Sequence, residues 1–434
     1  MSVLQKQIYD MLMESQYWPP ERMLKFQRSQ LAQLLRHARA NVPFYKARLD
    51  PVFKMDGEID WNRWGEIPVT TRADVRDRSA EMCAAALPPG HGAVVIGFTS
   101  GSSGVPISVR KNELFRLASK AAGIRFSSWI GMDWTKSIAE FPPKLYAENE
   151  AGQNYSSKPS TPAWVHDAPG KKFFISRAMP EADALELLRA HSVEYISSLP
   201  NFVEMLAHAN IALGSPLTVS KVLCYGMHAL DTQAELFRNS FGANTYCSYS
   251  SEETARIALQ CEPRGLYHIN AEQVLVEILD DSNCPCPEGV AGRVVVTAFY
   301  STAQPLIRYE IGDLAEFGGP CHCGRTLPTL SRIHGRLYPI FIRPNGDKFW
   351  VQFSHDLIAR NLQCKSYQIA QTGPLDFEVR YVPHHLDSSR NLEAVKSIVL
   401  KNLGFNAGLQ FKSLDQIPVA GGGKPQILVR EYQM

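Results

Sequence analysis

The sequence predicts an α/β protein followed by a small α+β domain, and three observations carry that expectation. Residues 183–192 have helical character, Val193–Ser197 read as a strand, 202–212 return to helix, and Val219–Cys224 read as a second strand. Such alternation buries parallel strands between helices. Beyond residue 335 a stretch of roughly 100 residues carries strands and a helix at Asn391–Leu403, enough for a small domain. The 434 residues are 45% hydrophobic and 20% charged, a globular composition that can bury a large core without disulfides.

The remaining elements follow in chain order. Leu24, Leu31, Leu35 and Ala38 recur at helical spacing, which predicts an amphipathic helix over 21–40, ended near Asn41 before Pro43. Val94–Gly97 form an apolar strand that runs into Thr99-Ser100-Gly101-Ser102-Ser103-Gly104-Val105-Pro106. Residues 273–280 and 292–298 flank a turn rich in Pro, Cys and Gly and predict a β-hairpin. At about 150 residues per domain the length allows three domain-sized units. No repeat or low-complexity tract interrupts them.

Charge and targeting signals narrow the function classes. Lys plus Arg number 45 and Asp plus Glu 43, a formal net charge of +2. That balance supplies no long-range field for nucleic acid or an anionic membrane, and favours small-molecule chemistry. No apolar run of 18 residues is present, and the first residues lack the apolar core of a secretory signal. The expectation is a cytoplasmic protein with nine reduced cysteines. Two pairs, Cys284/Cys286 and Cys321/Cys323, have C-x-C spacing and raise the question of metal.

The loop at 99–106 is the strongest local feature. Glycines allow sharp turns, and successive backbone N–H groups form an anion-binding concavity to which hydroxyls add donors. Phosphate is the natural guest, although no Gly-Lys-Ser/Thr closes a Walker loop.

The Thr-Ser-Gly-Ser-Ser-Gly-x-Pro run resembles the phosphate loop of the adenylate-forming enzymes, and further segments fit that superfamily in order. Tyr249-Ser250-Ser251-Glu252-Glu253 resembles its Tyr-Gly-x-Thr-Glu motif, and Tyr309-Glu310-Ile311-Gly312-Asp313 its Gly-Asp motif. Gly335-Arg336 resembles the pair before the interdomain hinge, and Gly423-Lys424-Pro425-Gln426 the loop of the catalytic lysine. His37–Tyr45 and Ile67–Asp74 make the chain similar to the phenylacetate–CoA ligase branch. The resemblance implies the adenylate-forming fold: a large N-terminal α/β adenylation domain, 1–335, with a small mobile α+β C-terminal lid, 336–434.

It also implies roles. Thr99, Ser100, Gly101, Ser102, Ser103 and Gly104 wrap the phosphates of ATP. Tyr249 stacks on adenine beside Gly226 and Met227, Asp313 accepts from the ribose hydroxyls, and Arg336 reaches the ribose or phosphate. Lys424 meets charge building on the α-phosphorus, a task suited to a mobile point charge. Magnesium falls to Glu253 or, with the register slipped by one, to Glu252. Phe141, Tyr225 and Tyr246 are candidates for the acid pocket. The implied reaction joins a carboxylate to the α-phosphorus, releases pyrophosphate, and passes the acyl group to coenzyme A. The alternatives are an amide synthetase or carrier-protein loader using an amine or tethered thiol, and a non-enzymatic nucleotide binder. Small molecules are the expected partners, and the resemblance leaves room for a homodimer.

Within the resemblance the cysteines suggest structural zinc. Cys261, His268, Cys321 and Cys323 form one candidate tetrahedral set, with His322 pointing away. Cys284, Cys286, Cys321 and Cys323 form the rival. Four departures from the family pattern stand out: Glu252 replaces a hydroxyl residue, Ser250 a glycine, His228 a glutamate, and Leu337-Tyr338-Pro339 the Asp-Asp of the hinge.

Overall fold

Helix Pro20–Asn41 starts on proline, whose fixed φ suits a first helical turn, and buries Met23, Leu31, Leu34, Leu35 and Ala38. Leu24, expected on the buried stripe, is 48% exposed, because its neighbour Met23 takes the inward position at that end of the helix. These elements belong to a computed structural model that describes residues 2–98, 107–142, 155–160, 162, 164–165, 169–214, 216–336, 341–346, 348–349, 355–383, 390–418 and 427–432. The described residues divide into two compact units, one lying within 1–335 and the other within 336–434.

The first unit is built on a large sheet. Lys171–Ile175, Ser137–Glu140, Val193–Ser198, Lys221–Tyr225 and Asn244–Ser251 lie side by side and parallel. Helices Glu181–Ala190 and Pro200–Ile211 alternate with them, as the sequence pattern predicts. At Asn244–Ser251 the sheet changes character: Ala255–Gln260 returns antiparallel, and the sheet continues through Tyr267–Ile269, Thr329–Arg336, Tyr309–Gly318, Gly292–Ala298 and Val274–Leu279. The last two strands are the expected hairpin, paired antiparallel.

Two short N-terminal segments brace the lead into strand Tyr309–Gly318. The buried Tyr45 hydroxyl donates to the Pro305 carbonyl at 3.1 Å and accepts from the Ile307 N–H at 3.1 Å. Thr70 takes a hydrogen bond from Glu310 N, donates its own N–H to Arg308 O, and caps Ile307 O with its hydroxyl. Tyr45 and Thr70 lie in the two segments whose sequence resembles the phenylacetate–CoA ligase branch, 37–45 and 67–74, and both prop this strand.

Val94–Phe98 pairs antiparallel with Ser108–Asn112 in a separate two-stranded ribbon. The sequence reads Val94–Gly97 as an apolar strand; the strand forms, yet Val94, Val95, Ile96 and Phe98 remain exposed, because only one ribbon partner covers it among the described residues.

The second unit has its own sheet and core. Gly408–Ser413, Asp376–Pro383, Cys364–Gln371 and Leu428–Arg430 lie in that order. Phe341, Ile369, Phe377 and Val379 pack with Val395, Val399 and Leu403 of helix Leu392–Leu403. Asn391 caps that helix by accepting from Ala394 N at 3.0 Å, and Gly404, at φ 74°, ends it in the left-handed region.

Candidate active site and metal centre

The carboxyl ends of the parallel strands gather several predicted residues, at the edge where open α/β sheets bind ligands. Phe141 follows Ser137–Glu140, Gly226 and Met227 follow Lys221–Tyr225, and Tyr249 lies near the end of Asn244–Ser251. Gly226 sits at φ 73°, which a side chain rarely adopts, and a Cβ there would come within 2.9 Å of Leu199 Cδ2. The turn then sets Met227 Sδ 3.8 Å from Asn201 Nδ2. His228, in place of the family glutamate, is hydrogen-bonded through Nδ1 to the Tyr267 hydroxyl.

Tyr249 reaches across to the antiparallel half of the sheet. Its hydroxyl donates to Asp313 Oδ2 at 2.8 Å. Asp313 follows Gly312, at φ 82°, on the braced strand Tyr309–Gly318. The candidate adenine and ribose residues, 64 apart in sequence, are therefore in direct contact.

The two adjacent glutamates have different surroundings. Glu253 is 3% exposed, and its Oε1 accepts from Arg72 Nη1 at 3.1 Å and from the Tyr309 hydroxyl at 3.3 Å. Arg72 opens a short helix whose Thr71 and Asp74 form a capping box. Glu252 turns outward and pairs with Lys111 of the two-stranded ribbon. Both carboxylates have a cationic partner, Arg72 for Glu253 and Lys111 for Glu252; Glu253 is the enclosed one, and its carboxylate oxygens are of the type a hard cation such as magnesium takes. Arg72, Lys111 and Tyr309 received no role from the sequence: Arg72 and Tyr309 lie within quoted segments, and Lys111 is one of two adjacent basic residues, Arg110 and Lys111, downstream of the loop.

Phe141 and Tyr246, expected at the acid pocket, belong to the core. Phe141 is fully buried, its ring 4.9 Å from that of Phe202. Tyr246 packs with Phe126, Ile130, Ile138, Tyr195 and Leu223. Tyr246 lies between the buried Thr245 and Cys247 of its strand, so both faces of the strand are covered there. Tyr225 is half-buried, and its hydroxyl donates to Phe141 O at 2.8 Å. The loop residues Thr99–Gly104 and Lys424 lie outside the described residues; Arg336 is described only as the last residue of its strand.

A second cluster forms at the far end of the antiparallel strands. The donor atoms of Cys261, His268, Cys321 and Cys323 all lie within 4.8 Å of one another. Cys261 Sγ is 3.7 Å from Cys321 Sγ, and Cys323 Sγ is 3.3 Å from His268 Nε2. Two sulfurs held about 2.3 Å from one tetrahedral ion stand about 3.8 Å apart, so the set fits zinc. Burial, with Arg325 and Arg125 adding to it, pushes His268 down to about 4, which keeps the imidazole neutral and able to ligate. Burial raises the Cys261 and Cys321 thiols; Cys323 falls despite burial, through hydrogen bonds from Arg325 and the neighbouring thiols. A cation between the three sulfurs would bring them to the ligating thiolate form. The rival set is not assembled among the described residues: Cys284 is exposed, and Cys286 Sγ lies by Ala291 O at 4.0 Å. His322 stands outside that four-residue set, with Nε2 3.0 Å from Glu262 Oε2, and groups with Glu262 and Cys321, the three donor atoms lying within 4.8 Å of one another.

No protein-family model matches the chain. A phenylacetate–coenzyme A ligase of Thermus thermophilus is 26% identical over 374 residues, covering 82% of this chain and 80% of the relative. A 2-hydroxyisobutyryl-CoA ligase, solved in the postadenylation state with R3-HIB-AMP, superposes with a TM-score of 0.66 at 18% identity, over 96% of this chain and 91% of that one. The same ligase in an open conformation, with 2-HIB-AMP and CoA, gives 0.60 at 19% identity, over 96% and 95%.

The chain has the fold of an adenylate-forming ligase. In that fold Tyr249 and Asp313 come from the two halves of one sheet, and the change from parallel to antiparallel pairing falls at Tyr249's own strand. No helix among the described residues is long and apolar enough to cross a membrane.

Proposed function

We propose that this protein is an ATP-dependent adenylate-forming ligase that activates an aromatic or arylacetic acid and passes the acyl group to coenzyme A. The Tyr249–Asp313 contact at the carboxyl edge of the parallel strands carries the reading, because it joins an aromatic face for a base to a carboxylate for ribose hydroxyls. The sequence likeness to a phenylacetate–coenzyme A ligase supports the acid class and the acceptor.

Both reactants are anions, so the protein's work is positioning and charge neutralisation. Asp313 orients the ribose, and Gly226 and Met227 border the base. Glu253, held by Arg72 and Tyr309, would hold magnesium, which when bound neutralises phosphate oxygens. Thr99–Gly104 and Arg336 contribute phosphate contacts, and Lys424 stabilises charge on the α-phosphorus; these roles rest on the sequence resemblance. The domain reading, 1–335 for adenylation and 336–434 as the lid, rests there too. Cys261, His268, Cys321 and Cys323 would hold a structural zinc, closing the turn at 319–328 onto strand Tyr267–Ile269.

Pyrophosphate release with a panel of aromatic acids, with and without coenzyme A, tests the proposal. The expected result is acid-dependent pyrophosphate release and a thioester when coenzyme A is present. AMP formation without any thioester would move the acceptor to an amine or carrier thiol. Release with no acid in the panel would overturn the reading. Lys424→Ala should slow adenylation at least about 10²-fold.

A further inference from the structure

Two acidic residues stand side by side where a triphosphate is to bind, and only Glu253 is enclosed. Glu252 is 46% exposed on its side chain and borders the ribbon that flanks residues 99–106. A Cβ built on Gly97 would lie 2.6 Å from Glu252 Oε1 and 3.1 Å from Lys111 Nζ. Gly97 thus leaves the space in which the pair forms. Lys111 stands opposite Val95 in the ribbon register and is 15% exposed, a nearly enclosed cation whose partner is Glu252. An unpaired carboxylate at this mouth would repel phosphate.

We infer that Lys111 is a positioning residue for the nucleotide site: its ammonium neutralises Glu252 and ties strand Ser108–Asn112 to the Tyr249 strand, so that a carboxylate can stand beside ATP. The inference rests on the adenylation reading and deepens it. It assigns Glu252 to Lys111, and leaves Glu253 as the carboxylate for magnesium.

A double-mutant cycle on the full chain tests it. Lys111→Met keeps the length of the side chain and removes its charge; the KM for ATP should rise about tenfold, with a smaller change in kcat. Adding Glu252→Gln removes the unpaired charge, and the double variant should recover most of that loss. Lys111→Arg should retain near-normal KM. Calorimetry with Mg·ATP reads the same shifts without turnover, so ATP binding without pyrophosphate release would reject the adenylation reading separately from the pair. Thermal midpoints without nucleotide identify a variant that fails to fold; the charge-swapped variant, Lys111→Glu with Glu252→Lys, then takes its place and should bind ATP better than a chain with Lys111→Glu alone. A double variant as weak as Lys111→Met, or an unchanged KM in Lys111→Met, would overturn the inference.

Discussion

The Tyr249 hydroxyl donates to Asp313 Oδ2 at 2.8 Å, so the residue assigned to adenine also holds the residue assigned to ribose. The aromatic face and the hydroxyl can be separated by mutation. Tyr249→Phe keeps the face and removes the hydrogen bond to Asp313; the KM for ATP should rise by about ten- to 150-fold, as a hydrogen bond to a charged group is worth about 1.5–3 kcal/mol. Tyr249→Ala should do more, because base stacking adds about 1–3 kcal/mol. Steady-state kinetics at varied ATP read both. Equal effects from the two variants would remove stacking from Tyr249's role.

The proposed zinc site makes a sharper distinction, because two cysteine sets compete in the sequence and one assembles among the described residues. Purified protein should carry about one zinc per chain. Cys323→Ser and His268→Ala should lose it and lower the thermal midpoint, whereas Cys284→Ser and His322→Ala should keep it. Metal analysis beside a thermal melt reads both quantities. Less than about half an equivalent in the parent protein would defeat the assignment.

Tyr45, the buried prop of strand Tyr309–Gly318, ties stability to pH. Burial pushes its phenol up to about 12 from the ordinary 10. The unfolded chain therefore loses this proton before the folded one does. The stabilisation is complete below pH 10 and is lost as pH rises toward 12, a total of about 2.7 kcal/mol for two pH units. Tyr45→Phe should cost about 1–3 kcal/mol at pH 7 by orphaning the Ile307 N–H, and should flatten the alkaline decline. Denaturant midpoints between pH 9 and 11.5 read the slope. Parallel declines in parent and variant would exclude Tyr45 as the source.

Some of this architecture was legible in the sequence because it rests on local pattern. Val193–Ser198 and Lys221–Tyr225 are short apolar runs between helical stretches, and a buried parallel strand requires little else. The zinc set was legible by residue type, but spacing could not choose between Cys261/His268 and Cys284/Cys286, since the choice depends on which strands meet. Arg72 and Glu253 lie 181 residues apart, and Lys111 and Glu252 lie 141 apart. No periodicity encodes such pairs; they follow from the register of the sheet and the ribbon. Phe141 and Tyr246 are of the same kind: aromatic type makes them pocket candidates, and the burial the structure gives them follows from which elements pack over them, which no sequence pattern states.

The same long-range logic governs an ion pair that is fully enclosed. Arg125 Nη1 donates to Glu272 Oε1 at 2.6 Å with both side chains fully buried. Its Nη1 also reaches Leu12 O at 3.1 Å, and the Ser15 hydroxyl donates to the same Glu272 oxygen at 2.6 Å. Helix Ser2–Ser15 is thereby fastened to helix Glu113–Trp129 and to the turn before Val274–Leu279. Arg125→Met leaves a buried carboxylate without its cation and should destabilise the chain by about 3–5 kcal/mol. Adding Glu272→Met removes the stranded charge and should recover much of the loss, because apolar groups of similar volume often replace a buried pair at little cost. Denaturant unfolding of the four proteins closes the cycle. A single variant within about 1 kcal/mol of the parent would mean that the helix is held by its apolar contacts, Leu12 against Ala121 and Ala122, and not by the pair.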